Sequence, residues 1–152
     1  MTEDITTLRT VAEYQFGSGA GGALLPHNEA VSMTRTSSGR PRQIRVAGER
    51  VGTYETDGRF RLSMHGGRRL QATEGVGYTV VVGSESRPYV REGRNAFAKF
   101  VTDADEVIRP RDDVLVEHTD GELLAVGRAE LSGRGMLAFE TGMAVKVRDS
   151  PE

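Results

Sequence analysis

Arginine is the residue type in this sequence that offers the clearest chemistry. The chain has 20 basic residues, and all but Lys99 and Lys146 are arginine. Between Arg35 and Leu70 there are nine arginines and three acidic residues, although the whole chain has a net charge of −2. A guanidinium group binds phosphate through two parallel hydrogen bonds. A basic stripe in a near-neutral chain therefore indicates a polyanion-binding surface. The alternative is a solvated face that happens to be rich in arginine.

A second stretch that could do chemistry is the glycine-rich segment 17–22. Such a loop cradles phosphate when it follows a strand and opens a helix. Here it follows a segment that Asp4 can cap and in which apolar residues recur at helical spacing. Gly17 is a natural stop for that helix. We therefore expect a tight turn between two helices rather than a nucleotide site. The apolar positions of the helix are Ile5, Leu8, Ala12 and Phe16.

No set of residues in the sequence has the composition of a catalytic or metal site. His27, His65 and His118 are scattered in polar or turn-like contexts, so we expect surface histidines. The pair Asp112–Asp113 lies in a turn, where aspartate commonly bonds the local backbone. The chain has no cysteine, which excludes a thiolate zinc site within these 152 residues. We predict no catalytic residues, no metal and no cofactor, and hence a protein that is not itself an enzyme.

The first half changes from helix to short strands at Ala30. Alternating runs separated by Ser-Gly, Ala-Gly and Asp-Gly turns predict a meander with one polar face, to which Arg42 and Arg45 belong. A short helix over 68–71 closes this domain, and the glycine-rich joint 74–77 predicts a boundary. The N-terminal domain is thus expected at 1–76. The predicted strands are 31–34, 43–46, 51–54 and 60–64.

The second half, expected at 77–149, reads as short strands with brief helices. Ser84 can cap a helix that ends at Gly93. The other elements predict a small, partly closed barrel of five to six mostly antiparallel strands, so the fold class is α+β. A further short helix is expected over 136–139. The predicted strands are 78–82, 96–101, 114–117, 123–129 and 144–148.

Four stretches of the second half resemble the PUA domain, a small RNA-binding module of pseudouridine synthases and archaeosine transglycosylases. They are 90–101, 108–114, 121–129 and 142–148, in the family's order. One departure is Arg111, where such domains usually place a turn glycine. We therefore expect a turn that tolerates a side chain at that position.

The first half has a narrower likeness, carried by segment 8–17 and by Arg68-Arg69-Leu70. These resemble the small domain that precedes the PUA domain in archaeal tRNA-guanine transglycosylases. The resemblance covers only the accessory end of that enzyme, whose active site lies in a large barrel with a cysteine-bound zinc. It therefore implies a tRNA-binding role without the catalytic step.

The PUA resemblance also implies a binding surface made by the loop after the first helix and by the last strand. Gly93 would let a phosphate approach the backbone, although it could equally be only a helix C-cap. Lys99 could hold a phosphate or be a solvated strand position. Asn95 could bond a 2′-hydroxyl or a base edge. The RNA-binding residues expected in the second half are Arg91, Gly93, Arg94, Asn95, Lys99, Lys146 and Arg148, and those in the first half are Arg42, Arg45, Arg68 and Arg69.

These observations favour a cytoplasmic, archaeal-type accessory protein that binds structured RNA, most simply tRNA. A catalytic transglycosylase subunit is a possible partner, and neither a membrane nor DNA is expected. The opposing hypothesis is a protein-interaction module that does not bind RNA. It is suggested by the ten basic and fourteen acidic residues from Tyr78 onward, against ten and eight before it. If RNA is the ligand, the first half supplies the long-range attraction.

Overall fold

The computed structural model describes residues 2–151 of the chain. The chain forms two compact units, and the boundary falls between Gly77 and Tyr78. Among the described residues, no helix has the length and apolar character needed to cross a membrane.

The first unit combines three helices with one antiparallel sheet in the order β1-β2-β3-β4, as the meander pattern predicts. Its helices are α1 (Thr2–Phe16), α2 (Ala20–Leu24) and α3 (Met64–Gln71). Its strands are β1 (Val31–Arg35), β2 (Pro41–Val46), β3 (Glu49–Tyr54) and β4 (Phe60–Leu62).

The core of this unit is made by the apolar stripe of α1 and the inner face of the sheet. Leu8, Ala12 and Phe16 are buried, as are Ile44 and Phe60 on the strands. Gly17 ends α1 with φ of 108°, as the sequence predicts. The prediction that Asp4 caps the helix is wrong, because α1 already includes Thr2, and Asp4 instead pairs with Arg35.

Helix α3 begins earlier than the sequence suggests. Ser63 caps it by accepting a hydrogen bond from the Gly66 amide at 3.3 Å, so β4 ends at Leu62. A Cβ on Gly66 would collide with the carbonyl oxygen of Val51, and this close approach brings α3 onto the inner face of β3.

The second unit is a six-stranded, nearly closed sheet in the order β6-β10-β9-β8-β5-β7, which confirms the pseudo-barrel. The β5–β8 pair is parallel and the other pairs are antiparallel. Its strands are β5 (Thr79–Val82), β6 (Ala96–Phe97), β7 (Val101–Ala104), β8 (Asp113–His118), β9 (Leu123–Ala129) and β10 (Met143–Asp149). Its helices are α4 (Arg87–Arg91) and α5 (Gly133–Ala138).

Three details of this unit differ from the sequence predictions. The single strand over 96–101 is wrong, because a 3₁₀ turn over Ala98–Phe100 separates β6 from β7 and places them at opposite edges of the sheet. Ser84 does not cap α4, since Ser86 occupies the N-cap position. The predicted side-chain-tolerant turn at Arg111 is also wrong. Arg111 adopts φ of 81°, the left-handed conformation that glycine would adopt without strain.

Candidate nucleic-acid interface

The loop after α4 is shaped by Gly93. Its φ is 101°, and its amide donates to the carbonyl of Val90 at 2.9 Å, so it turns the chain directly after the helix. A Cβ at this position would lie 3.4 Å from the Ser150 hydroxyl. The residue thus has the geometry of a helix-terminating glycine and also leaves the loop backbone exposed. Both interpretations of Gly93 are compatible with this conformation.

Arginine side chains extend from both sides of this loop. The guanidinium carbon of Arg94 lies 5.7 Å from the centre of the Tyr89 ring, and the Tyr89 residue is 54% exposed. Arg91 is also exposed, and its Nε lies 3.4 Å from a carboxylate oxygen of Glu122. Arg94 therefore keeps its charge uncompensated by a carboxylate among the described residues, whereas Arg91 is partly neutralised.

Asn95 joins the loop to the last strand. Its side-chain oxygen accepts a hydrogen bond from the Val147 amide at 2.9 Å. The side-chain NH₂ group of Asn95 remains the polar group that could meet a ligand. Lys146, the residue before Val147, is exposed. The Asn95–Val147 hydrogen bond therefore joins the loop that carries Gly93 and Arg94 to the strand that carries the exposed Lys146.

Arg148 lies on the same strand, but its guanidinium group pairs with a carboxylate of the protein. Its two terminal nitrogens each donate to one oxygen of Asp113 at 2.8 Å. The Asp113 side chain is 1% exposed and the Arg148 side chain is 32% exposed. Arg148 is therefore the counter-ion of a buried carboxylate on β8.

Lys99 lies outside the Gly93 loop, after strand β6. It lies in the 3₁₀ turn beyond the far end of β6, and its ammonium group is 4.9 Å from the centre of the Phe100 ring. Since Asn95 precedes β6 and Lys99 follows it, the strand separates the two residues.

The predicted arginines of the first unit fall on two faces of its sheet. Arg45 is exposed and directly faces Arg50 on β3. Helix α3 lies on the opposite, inner face, where His65 contacts Glu49 at 2.6 Å. The structure therefore separates Arg45 from the two arginines of that helix, Arg68 and Arg69. Arg42 lies two residues before the buried Ile44, so regular strand alternation places it on the face of Ile44 and not on that of Arg45.

Arg69 is held in an internal ion pair. It donates to both carboxylate oxygens of Glu29, at 2.8 and 3.0 Å, and its side chain is 18% exposed. The hydrogen bond from Arg69 holds the pKa of Glu29 below its ordinary value. Arg68, its neighbour in α3, is exposed.

Residues 17–19 of the glycine-rich segment form the predicted turn between α1 and α2, residues 20–22 begin α2, and amides of this segment already have an anion. The Glu13 carboxylate accepts from the Gly19 amide at 3.0 Å and from the Gly21 amide at 2.6 Å. Both hydrogen bonds lower the pKa of Glu13, and the one from the Gly21 amide has the larger effect. The chain's own carboxylate therefore occupies the position at which a phosphate would bind such amides.

The structure assembles one polar cluster that the sequence did not reveal. The Nε2 atom of His118 lies 2.9 Å from the Ser84 hydroxyl, and its Nδ1 lies 3.0 Å from Asp120 Oδ1. His118 is only 7% exposed, so its prediction as a surface histidine is wrong. The parallel pairing of Val82 with His118 brings these distant segments together, and no local sequence pattern encodes that pairing.

This cluster stabilises the β8–β9 hairpin. Asp120 Oδ1 also accepts from the Glu122 amide at 2.9 Å, and this bond, ahead of the His118 contact, lowers the pKa of Asp120. Gly121 turns the hairpin with φ of 94°. Arg87 at the start of α4 pairs with Glu122, so the same network fixes the helix that carries the Gly93 loop. Within residues 2–151, no three histidine or acidic side chains lie close enough to hold a metal ion.

Two family models match the chain, and each covers one unit. The patch-forming domain C2 of tRNA-guanine transglycosylase matches residues 6–74. The PUA domain matches residues 78–150.

Curated relatives share this arrangement at their accessory end. The chain is 43% identical to the tRNA-guanine(15) transglycosylase of Pyrococcus furiosus over 152 residues, which is 97% of this chain and 25% of that protein. It is 43% identical over 144 residues to the enzyme of the same name from Thermococcus onnurineus, covering 93% of this chain and 24% of that one. The chain thus spans about a quarter of the length of the curated relatives it matches.

Solved structures share the fold over almost the whole chain. A hypothetical protein from Pyrococcus horikoshii matches with a TM-score of 0.80 and 24% identity, over 99% of this chain and 91% of that one. A conserved PUA domain protein from Thermoplasma acidophilum matches with a TM-score of 0.70 and 19% identity, over 99% and 89%.

Proposed function

Since this chain joins a C2 domain of the tRNA-guanine transglycosylase type to a PUA domain, we propose that it is a non-catalytic, cytoplasmic protein that recognises tRNA. It acts as an accessory factor or subunit in archaeosine-type tRNA modification. The family of the two domains supports RNA binding, and the identity of the RNA rests on the curated relatives, which are tRNA-modifying enzymes by name.

The observation that carries the proposal is the hydrogen bond that joins the Gly93 loop to β10. Gly93 leaves its backbone open to close approach, and the exposed Arg94 and Lys146 directly precede Asn95 and Val147, the two residues that form this hydrogen bond. In this proposal the two cations contact phosphates, and the amide of Asn95 reaches a 2′-hydroxyl or a base edge. Recognition is mainly of RNA shape, because side chains cannot read the deep, narrow major groove of an A-form helix.

The other candidate residues either add exposed positive charge or stabilise the fold in this proposal. Arg91 and Lys99 provide peripheral charge, the first shared with Glu122 and the second beyond β6. Arg148 supports β10 by neutralising the buried Asp113 on β8. In the first unit, Arg42, Arg45 and Arg68 supply exposed charge, and Arg69 chiefly anchors α3 to Glu29.

Long-range attraction comes from the first domain, which we place at 1–76, and close contacts come from both domains. The second domain, which we place at 77–149, lies in the acidic half of the chain. The few exposed basic residues of this domain therefore act within an unfavourable, negative electrostatic potential. The basic stripe of the first domain offsets that potential. The catalytic step belongs to a separate transglycosylase chain in this proposal.

The test is binding of unmodified tRNA, measured by fluorescence anisotropy over a series of salt concentrations. Several phosphate contacts predict that log affinity falls linearly with log salt. Arg94→Ala and Lys146→Ala should each weaken binding and reduce the slope by about one. Arg134→Ala is the matched control, because its side chain is 81% exposed and its nearest carboxylate is 3.8 Å away. Absence of tRNA binding at about 50 mM salt would refute the proposal.

The acidic character of the second half favours one other candidate, a protein-interaction module that does not bind RNA. Exposed apolar side chains also lie on this unit, including Phe97 on the edge strand β6 and Phe139 after α5. This candidate predicts copurification with a transglycosylase chain and no measurable affinity for tRNA. Retention of tRNA binding by the isolated chain would exclude it.

A further inference from the structure

Two arginines of the first unit face each other across neighbouring strands. Arg45 on β2 and Arg50 on β3 occupy directly opposed positions in the antiparallel register, and both are exposed. Like charges at opposed positions destabilise a sheet. Among the residues that the structure describes, neither guanidinium forms a salt bridge, and Arg45 contacts only the Gly48 carbonyl, at 3.5 Å.

The backbone around this pair fixes its geometry. The turn that joins β2 to β3 has positive φ at both central positions, 52° at Ala47 and 83° at Gly48. Such a two-residue turn matches the twist of the flanking strands and sets their register. Val46 and Glu49 flank this turn directly, and the two arginines form the next pair outward, so their Cα atoms are held about 5 Å apart. Long side chains that would otherwise separate are thus kept on one rigid hairpin.

The rest of this sheet face is neutral or offers hydrogen-bond donors. Ser32 on β1 lies opposite Arg45, and the next row pairs Gln43 with Thr53. Arg61, opposite Thr53, forms an ion pair with Asp57 at 2.9 Å. No carboxylate occupies a registered position of this face within the described strands, so the charge of the Arg45–Arg50 pair is uncompensated there.

Other arginines of the basic stripe have partners within the protein. Arg35 pairs with Asp4, and Arg69 pairs with Glu29. The Arg40 guanidinium lies over the ring of Tyr54, 4.5 Å from its centre. Some arginines of the stripe therefore hold the fold together, whereas Arg45 and Arg50 form an exposed pair whose charges repel each other.

We propose that the outer face of the four-stranded sheet, centred on Arg45 and Arg50, is a distinct contact surface for the phosphate backbone of RNA. The proposal rests on the RNA-binding function above and adds Arg50 as a ligand that the sequence did not single out. Two guanidinium forks on one hairpin can bridge a phosphate or contact two successive phosphates. The neighbouring hydroxyl and amide groups can donate to phosphate or ribose oxygens. The surface reads no sequence, since it meets only the backbone.

The experiment compares tRNA binding by the wild-type chain, Arg45→Ala, Arg50→Ala, the double variant and the control Arg134→Ala. Each single variant should lower the slope of log affinity against log salt by about one, and the double variant by about two. The control should keep both affinity and slope close to those of the wild type. Arg45→Lys with Arg50→Lys should retain most of the slope and lose affinity, since charge remains but the paired forks do not.

A second measurement separates ligand binding from a structural role. Removing either arginine relieves repulsion, so the melting temperature without RNA should stay the same or rise. A fall of more than about 5 °C would assign the pair to fold stability and overturn the proposal. Wild-type binding by the double variant, alongside weakened binding by Arg94→Ala, would also overturn it while leaving the proposed function intact. Loss of all tRNA binding by the wild-type chain would overturn both.

Discussion

Replacing Arg148 by alanine tests whether this residue is a structural counter-ion rather than an RNA ligand. Arg148 donates two hydrogen bonds of 2.8 Å to the Asp113 carboxylate, whose side chain is 1% exposed. Truncation would leave that buried charge without its bidentate partner. We therefore expect Arg148→Ala to destabilise the second unit, even though the residue lies on the strand that carries Lys146.

The magnitude follows from the burial of the two partners. Breaking a fully buried ion pair by removing one partner costs about 3–5 kcal/mol. The Arg148 side chain is 32% exposed, so solvent screening reduces the value, and we expect about 2–3 kcal/mol. For a unit of this size, that loss lowers the melting temperature by about 10–20 °C.

The assay is thermal and urea unfolding followed by circular dichroism. Lys146→Ala is the matched control, because Lys146 is an exposed cation on the same strand and should change stability by less than about 0.5 kcal/mol. Asp113→Ala combined with Arg148→Ala should be more stable than additive single effects predict, because neither charge is left alone. A melting temperature for Arg148→Ala within about 2 °C of the wild type would refute the reasoning.

Three further predictions concern other polar and backbone features. The amides that lower the pKa of Glu13 make its carboxylate stabilising above its ordinary pKa of 4.5, and this contribution is lost as the pH falls through the lowered pKa. In urea unfolding, Glu13→Gln should therefore lose less stability than the wild type between about pH 5 and pH 3, and an equal loss would contradict this account. Arg111→Gly should raise unfolding free energy by about 0.5–1 kcal/mol by relieving the strain at φ of 81°, and a lower melting temperature would show that its side-chain contacts outweigh that strain. His118→Ala should cost about 1–3 kcal/mol by removing the link between Ser84 and Asp120, and a change below about 0.5 kcal/mol in thermal unfolding would show that the cluster is not stabilising.

The local elements were largely predictable because their signals are carried by neighbouring residues. The apolar spacing from Leu8 to Phe16 predicts α1, and Gly17 predicts its end. The Asp120–Gly121 turn predicts the β8–β9 hairpin. A prediction failed where the same local sequence pattern is compatible with two different secondary structures. Segment 96–101 is apolar enough for one strand, yet closure of the barrel requires a 3₁₀ turn in its middle.

The segments of the candidate site were proposed from the sequence, and their use as a site stays a prediction, whereas the partners of their residues could not be predicted. A family resemblance identified the Gly93 loop and the last strand, which the structure joins through Asn95 and Val147. The same reasoning treated Arg148 and Lys146 alike, since both are basic residues on one strand. Only the position of Asp113 on β8 distinguishes them.

The sequence by itself determined the elements, their order and the excess of arginine, because hydrophobic periodicity, turn residues and composition are local properties of the chain. The tertiary structure decided which charged side chains pair with one another within the protein and which stay exposed. Glu29 and Asp113 approach their arginines from positions 40 and 35 residues away. Strand register likewise places Arg45 opposite Arg50 and His118 beside Ser84. Such partnerships depend on distances between segments that are remote in sequence, so they arise only when the sheets close.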